Sequence, residues 1–157
     1  MKLTEAMKTL VREQRLGFVA TVNADGTPNL SPKGTFEVLD DEHLGFLDIR
    51  SPNTLRNIRN GSKVEVNFVD PFVRRGFRFF GRAEVLPPSS DEARALIAKT
   101  SNWHRRAETH RGVVKIQVER AAPLISPAYD GGTTEDSLRR SWTETFRRLQ
   151  PGGEFLK

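Results

Sequence analysis

Cysteine is missing from this 157-residue chain, and with it go disulfides, thiol nucleophiles, iron–sulfur clusters and zinc sites closed by thiolates. Histidine is scarce. His43 sits beside a turn, while His104 and His110 lie in an arginine-rich stretch; surface positions are the expectation for all three, and no metal site is expected. No apolar run approaches the roughly eighteen residues that a membrane-crossing helix needs, so no membrane span is expected. The opening MKLTEAMKTLVREQ mixes acids and bases without an apolar signal core, which points to a cytoplasmic protein. The common catalytic signatures are absent as well: no G-x-S-x-G elbow, no GxxxxGK[ST] or G-x-G-x-x-G loop, no H-E-x-x-H.

What is present describes one soluble domain over residues 1–157. Hydrophobic residues make up 36% and charged residues 29%, enough apolar surface for a real core without a large surplus. The net charge of +5 arises from 25 Lys plus Arg against 20 Asp plus Glu, which raises the question of nucleic acid. The basic residues are scattered, as Arg74-Arg75-Arg78-Arg82, Arg105-Arg106-Arg111 and Arg139-Arg140-Arg147-Arg148, and mostly mixed with acids. No nucleic-acid motif accompanies them, so sequence-specific binding of nucleic acid is disfavoured and a small anion or phosphate-bearing cofactor is preferred.

Periodicity predicts the elements in order. Thr4 to Gln14 reads as an amphipathic helix capped by Thr4, with Met7, Leu10 and Val11 on one face. LGFVATV reads as a strand buried on both faces, and Asn23-Ala24-Asp25-Gly26-Thr27 as a hairpin turn. The run PNLSPKGTFEVLD is a strand broken by Pro32 and Gly34, a break that marks an edge, a bulge or a binding surface. HLGFLDI and KVEVNFV follow as strands, the second with Val64, Val66 and Phe68 inward. A long strand from Gly76 to Leu86 ends at Pro87-Pro88, and Ser89-x-x-Glu92 caps the next helix. GVVKIQVE is the last strand. SPAYDGG is a loop, and Thr133-x-x-Asp136 starts a final helix over about 134–149, with Leu138, Trp142, Phe146 and Leu149 as its apolar stripe and its arginines as a solvated face. Gln150 to Lys157 is a tail. Trp103 is a pocket-lining or packing residue, and Trp142 a core or dimer contact. Helix, four strands, short helix, two strands, helix, strand and helix suggest a small antiparallel barrel.

One stretch reads as a site. In RSPNTLRNIRNG, from Arg50 to Gly61, Ser51 is a preferred N-cap, Pro52 suits the first helical position, and Asn60-Gly61 is a stop. The first turn holds Ser51, Asn53 and Thr54 and has no carboxylate of its own, while Arg50, Arg56 and Arg59 are near. Unpaired N–H groups, the helix dipole and guanidinium groups together make an anion site, most naturally for phosphate. An ordinary capped connecting helix with a solvated basic face is the alternative.

The series GFVATVNADGTPNLSPKGTFEVLDDEHLGFLDIRSPNTLRNIRNGSKVEVNFVD, continued by RRGFRFFGRAEVL, resembles the pyridoxamine 5'-phosphate oxidase-like family of FMN-binding split barrels. The resemblance covers roughly residues 10–125 and rests on the order and spacing of several segments. It implies a mainly β fold, a six- or seven-stranded antiparallel split barrel with a core of about 15–125 and flanking helices. It also implies a homodimer with FMN at the interface and a small-molecule substrate. By position, Ser31, Pro32, Lys33 and Gly34 face the flavin, largely through backbone groups. Asp48, Ser51, Asn53 and Thr54 surround the ribityl chain and phosphate, and Arg75 and Arg78 reach the cofactor from either subunit. Lys33 is either a cation at the ring's electron-rich edge or a solvated lysine.

Two departures set the chain apart from the true oxidase. Pro52-Asn53-Thr54 stands where the oxidase has a Ser-Arg-Lys run, which implies a different phosphate grip. SPAYDGGTTEDSLRRSW does not match the oxidase's substrate signature. Members of the family also bind deazaflavin or haem. The expected function is therefore that of a small FMN-dependent oxidoreductase, with a deazaflavin- or haem-binding barrel, or a non-catalytic flavin- or anion-binding protein, as alternatives.

Overall fold

A computed structural model of the chain describes residues 1–104 and 109–150. The Arg105-Arg106 pair and the tail after Gln150 lie outside the described residues. The elements are α1 (Glu5–Gln14), β1 (Gly17–Val22), β2 (Pro28–Lys33), β3 (Glu37–Val38), β4 (His43–Asp48), α2 (Pro52–Arg59), β5 (Lys63–Asp70), β6 (Arg75–Leu86), α3 (Asp91–Ser101), β7 (Gly112–Ile125) and α4 (Glu135–Leu149). A 3₁₀ turn at Pro127–Gly131 takes the place of the loop expected there. No helix among the described residues is long and apolar enough to cross a membrane.

The seven strands form one antiparallel sheet in the order β2-β1-β5-β6-β7-β4-β3. The sheet curls into a split half-barrel, so that Lys33 on edge strand β2 comes within 3.7 Å of Asp48 on β4. The β1–β2 hairpin turns where the sequence predicts, with Gly26 at φ +84° and the Thr27 N–H donating to Asp25 Oδ1 at 3.0 Å. On β6 a bulge falls at Phe80/Gly81. A Cβ at Gly81 would lie 2.0 Å from the Gln117 carbonyl oxygen, so β6 can pass β7 only with glycine there.

Alternation places the core. Val64, Val66 and Phe68 of β5 point inward as predicted, with Val114, Ile116 and Val118 of β7. Phe36, Phe46, Phe68 and Phe79 pack as tilted and edge-on pairs with centroids 4.9–6.1 Å apart. Full burial stabilises by about 1.5–3 kcal/mol for each such ring. The buried face of α1, Met7 and Val11, closes onto this cluster, and Thr4 caps the helix as expected. A second cluster, Leu47, Leu86, Ala93, Leu96 and Val113, joins α3 to the other face of the sheet.

Three expectations need correction. LGFVATV is not buried on both faces: Phe18 and Val22 are 42% and 53% exposed, and β4, sandwiched between the barrel interior and α3, is the doubly buried strand. The caps of α3 and α4 are Ser90 and Thr134, one residue later than predicted. In each case two hydroxyl residues adjoin, and at α3 the Ser90 N–H first closes a turn on the Pro87 carbonyl, leaving Ser90 as the last extended residue. The α4 arginines are not all a solvated face either. Arg139 reaches Asp70 at 3.3 Å, while Arg74 stacks 3.5 Å from the Trp142 ring and Phe72 meets Phe146 at 5.3 Å, so α4 is moored to the β5–β6 hairpin.

Candidate functional site

The half-barrel brings two segments of the predicted site together. β2 ends at Lys33 and the chain bends through Gly34. Thr35 then fastens the bend to β4, its hydroxyl donating to the Leu47 carbonyl at 2.6 Å and accepting the Leu47 N–H at 3.0 Å. This stitch holds Lys33 opposite Asp48, the last residue of β4.

Both charges are buried, Lys33 at 5% exposure and Asp48 at 0%. The Lys33 ammonium donates to Ser31 Oγ at 2.5 Å, lies 3.7 Å from Asp48 Oδ1 and faces the Phe46 ring at 5.7 Å. Burial pushes the lysine below its ordinary value, and the Asp48 carboxylate opposes that shift without cancelling it. The solvated-lysine reading is therefore replaced by a buried, paired cation.

Asp48 also changes the reading of the α2 terminus. Its Oδ2 accepts the Ser51 N–H at 3.1 Å and its Oδ1 accepts the Ser51 hydroxyl. Ser51 occupies the N-cap position without making the expected side-chain cap, since an ionic acceptor outcompetes a weak hydroxyl cap. The first turn carries no acid of its own, as predicted, yet the preceding strand lends it one. The amides of Asn53 and Thr54 keep no acceptor among the described residues. Asn53 is exposed and accepts a hydrogen bond from Arg56 at 2.9 Å. The Thr54 side chain is fully buried and accepts from Asn29 Nδ2 at 3.2 Å, so only its amide can serve a ligand.

A neutral network that sequence reasoning missed positions α2. Thr21 Oγ1 accepts from Asn29 at 2.9 Å and from Asn57 at 3.0 Å, and Asn57 also donates to Asn23 at 2.9 Å. Thr21 and Asn57 are 3% and 2% exposed. The available signal was a polar residue on the face of α2 that carries Ile58, where packing expects an apolar one.

Beside the ion pair is a cavity of about 200 Å³ lined by Pro32, Lys33, Gly34, Asp48, Arg50 and His104, with Thr35, Leu47 and Ile49. His104 therefore borders the site, against the surface expectation. His43 sits beside its turn, bonded to Asp40 at 2.8 Å, and His110 keeps a buried Nδ1 without a hydrogen-bond partner among the described residues. Trp103 packs, its indole donating to Glu37 at 2.6 Å under the Arg15 guanidinium at 3.8 Å. Arg75 and Arg78 do not border the cavity. Arg78 faces Glu65 at 3.7 Å, and Arg75 lies over the Tyr129 ring at 4.0 Å. Pro32 and Arg78 share a row across the sheet, through Phe18 and Asn67.

Comparison with known proteins adds an independent view. The family described as pyridoxamine 5'-phosphate oxidase matches residues 3–124. HupZ of Group A Streptococcus is 34% identical, with 79% of this chain and 95% of that chain covered and a TM-score of 0.69. A Lactobacillus delbrueckii protein named for pyridoxamine 5'-phosphate oxidase is 34% identical, covering 77% and 93%, with a TM-score of 0.65. HutZ, the haem storage protein of Vibrio cholerae, is 21% identical over 80% of this chain and 95% of that one, with a TM-score of 0.62, and shares the fold. The same fold recurs in an FMN-binding protein from Syntrophomonas wolfei (13% identity, 76% and 84% covered, TM-score 0.61) and in an F420 reductase (22%, 76% and 98%, 0.59). No curated protein matches the chain.

Proposed function

The chain belongs to the pyridoxamine 5'-phosphate oxidase family, and on that premise we propose that it is an FMN-binding flavoprotein acting as a small cytoplasmic oxidoreductase, with its cofactor at the interface of a homodimer. The observation that carries this reading is the pairing, at one end of the half-barrel, of a buried lysine with the open amides of a helix start.

The residues fit such a cofactor. A phosphate suits the Asn53 and Thr54 amides, where the α2 dipole favours an anion and Arg50 adds charge. Ser31, Pro32, Lys33 and Gly34 present the surface on which a flat ring can rest, and Asp48 and Ser51 lie between that surface and the helix. FMN, when bound, supplies hydride transfer at its N5. The chain's own part is electrostatic. Lys33 stabilises negative charge near the ring, and the Asp48 carboxylate with the Ser31 hydroxyl fixes where the ammonium points.

The cavity supports dimerisation as well. About 200 Å³ is below the roughly 300–1,000 Å³ of usual ligand pockets, so one chain offers only part of the wall. Next to Pro32 the outer face of β1 and β2 exposes Phe18, Val22 and Leu30, the last at 63%, an apolar strip suited to a second copy. Arg75 and Arg78 would then meet the cofactor from the partner. The haem reading has one observation of its own, the His104 imidazole at the cavity, a common haem ligand.

Absorption spectra of the purified protein with FMN, deazaflavin or haem added in turn test the proposal. A shifted flavin band that stays with the protein through gel filtration is expected. Retention of haem or deazaflavin alone, or of none of the three, contradicts the FMN reading.

A further inference from the structure

Two further clefts, lined by residues other than those of the Lys33–Asp48 cavity, differ in how their arginines are used. The cleft between α1, α4 and the ends of β6 and β7, about 590 Å³, is lined by Arg75 and Arg139, but these already pair with Glu135 at 3.5 Å and Asp70 at 3.3 Å. The other, about 480 Å³, lies where the C-terminal half of α2 meets the end of β6 and the start of β7. It is lined by Arg59 and Arg111, both exposed and with no acidic partner among the described residues. Its one acid, Glu84, is exposed and faces Lys115 across the β6–β7 register, but that ammonium bonds to Glu92 at 2.6 Å, so the cleft sets two guanidinium groups against one carboxylate and keeps a net positive charge.

The rest of the lining is apolar and stiff. Ile58 and Leu86 are core residues held from behind, Val85 is half-buried, and Pro87 and Pro88 fix the turn into α3. Arg59 lies in the last turn of α2, where the dipole favours a cation without any carboxylate. Arg111 is fixed through its backbone, its N–H donating to the Asp48 carbonyl at 2.6 Å. Two guanidinium groups that make no ion pair among the described residues, set against one carboxylate on a largely apolar cleft, are suited to forked recognition of an oxyanion, and the volume is that of a small-molecule pocket.

We infer that this cleft is a second ligand site that takes an amphipathic anion: a phosphate or carboxylate held by Arg59 and Arg111, carrying an aromatic or branched apolar body laid against Ile58, Val85 and Leu86. The site is built independently of the flavin reading.

Phenyl phosphate is the probe, titrated calorimetrically into the full chain, both free of FMN and saturated with it. One saturable site of similar affinity is expected in both conditions. Because both guanidinium groups would donate charge-assisted hydrogen bonds to the oxyanion, Arg59→Gln with Arg111→Gln should weaken binding by roughly tenfold or more. Inorganic phosphate, lacking the apolar body, should also bind at least about tenfold more weakly. The inference is overturned if FMN displaces the probe, if the double variant with an unchanged circular dichroism spectrum binds as tightly, or if inorganic phosphate binds equally well. The titration without FMN keeps this result apart from the fate of the flavin proposal.

Discussion

Two polar clusters are buried within a few residues of each other in the half-barrel. Thr21, Asn29, Asn57 and Thr54 form the first, which is neutral and bonds α2 to β1 and β2. Lys33, Asp48, Ser31 and Ser51 form the second, which is charged, spans the split between β2 and β4, and borders a cavity. A neutral network whose members satisfy one another mainly fixes position. A buried ion pair is weak evidence for stability, because desolvation offsets its attraction. The neutral cluster holds the helix start in place, and the charged cluster sets a buried cation beside the cavity.

Breaking the charged cluster should produce the largest effect. Asp48→Ala leaves the Lys33 ammonium buried without its counter-ion and should cost about 3–5 kcal/mol in urea unfolding. Adding Lys33→Met should restore part of that loss, since no uncompensated cation remains; a double variant no more stable than the single one would contradict the pairing. Burial depresses the Lys33 pKa from its ordinary 10.5, so between the depressed value and 10.5 the unfolded chain holds the proton more firmly. Stability should therefore rise with pH across that window, and Lys33→Met should remove the rise.

The neutral cluster should respond less. Asn57→Ala removes two donated bonds and leaves Thr21 and Asn23 acceptors short of a partner, for about 2 kcal/mol by thermal or urea unfolding. If it costs more than Asp48→Ala, the assignment of roles is reversed. Ser51→Ala is the mildest change. It deletes the hydroxyl bond to Asp48 but keeps the amide bond, and about 1 kcal/mol is expected, with FMN affinity reduced only a few-fold.

The two clusters also differ in how far the sequence reveals them. Element order, the Asp25-Gly26 hairpin, the Thr4 cap and the inward faces of β5 and β7 follow from local pattern, and the structure has them. Ser89 against Ser90, and Thr133 against Thr134, could not be separated by residue type, because adjacent hydroxyls are equivalent until the turn geometry selects one. That α2 starts at Pro52 with no acid in its first turn is legible in the sequence. That Asp48 would take the Ser51 amide is not, since this depends on where β4 ends relative to the helix. For Lys33 the sequence leaves a cation at the cofactor and a solvated lysine equally open. Its burial depends on closure of the sheet against β4, a contact between segments 15 positions apart that periodicity does not encode. Phe18 and Val22 read as core for a related reason: the apolar pattern of a strand is the same whether one face or both are covered.

A cofactor phosphate at the α2 start is best probed at Asn53, because its side chain is exposed while its amide is open. The decisive measurement is an FMN fluorescence-quenching titration of the natural chain beside Asn53→Glu. A negative charge beside the bound phosphate should weaken binding by roughly tenfold or more with the fold unchanged. Equal affinity in the two proteins, or no saturable quenching by the natural chain, would rule out a cofactor phosphate at the α2 start.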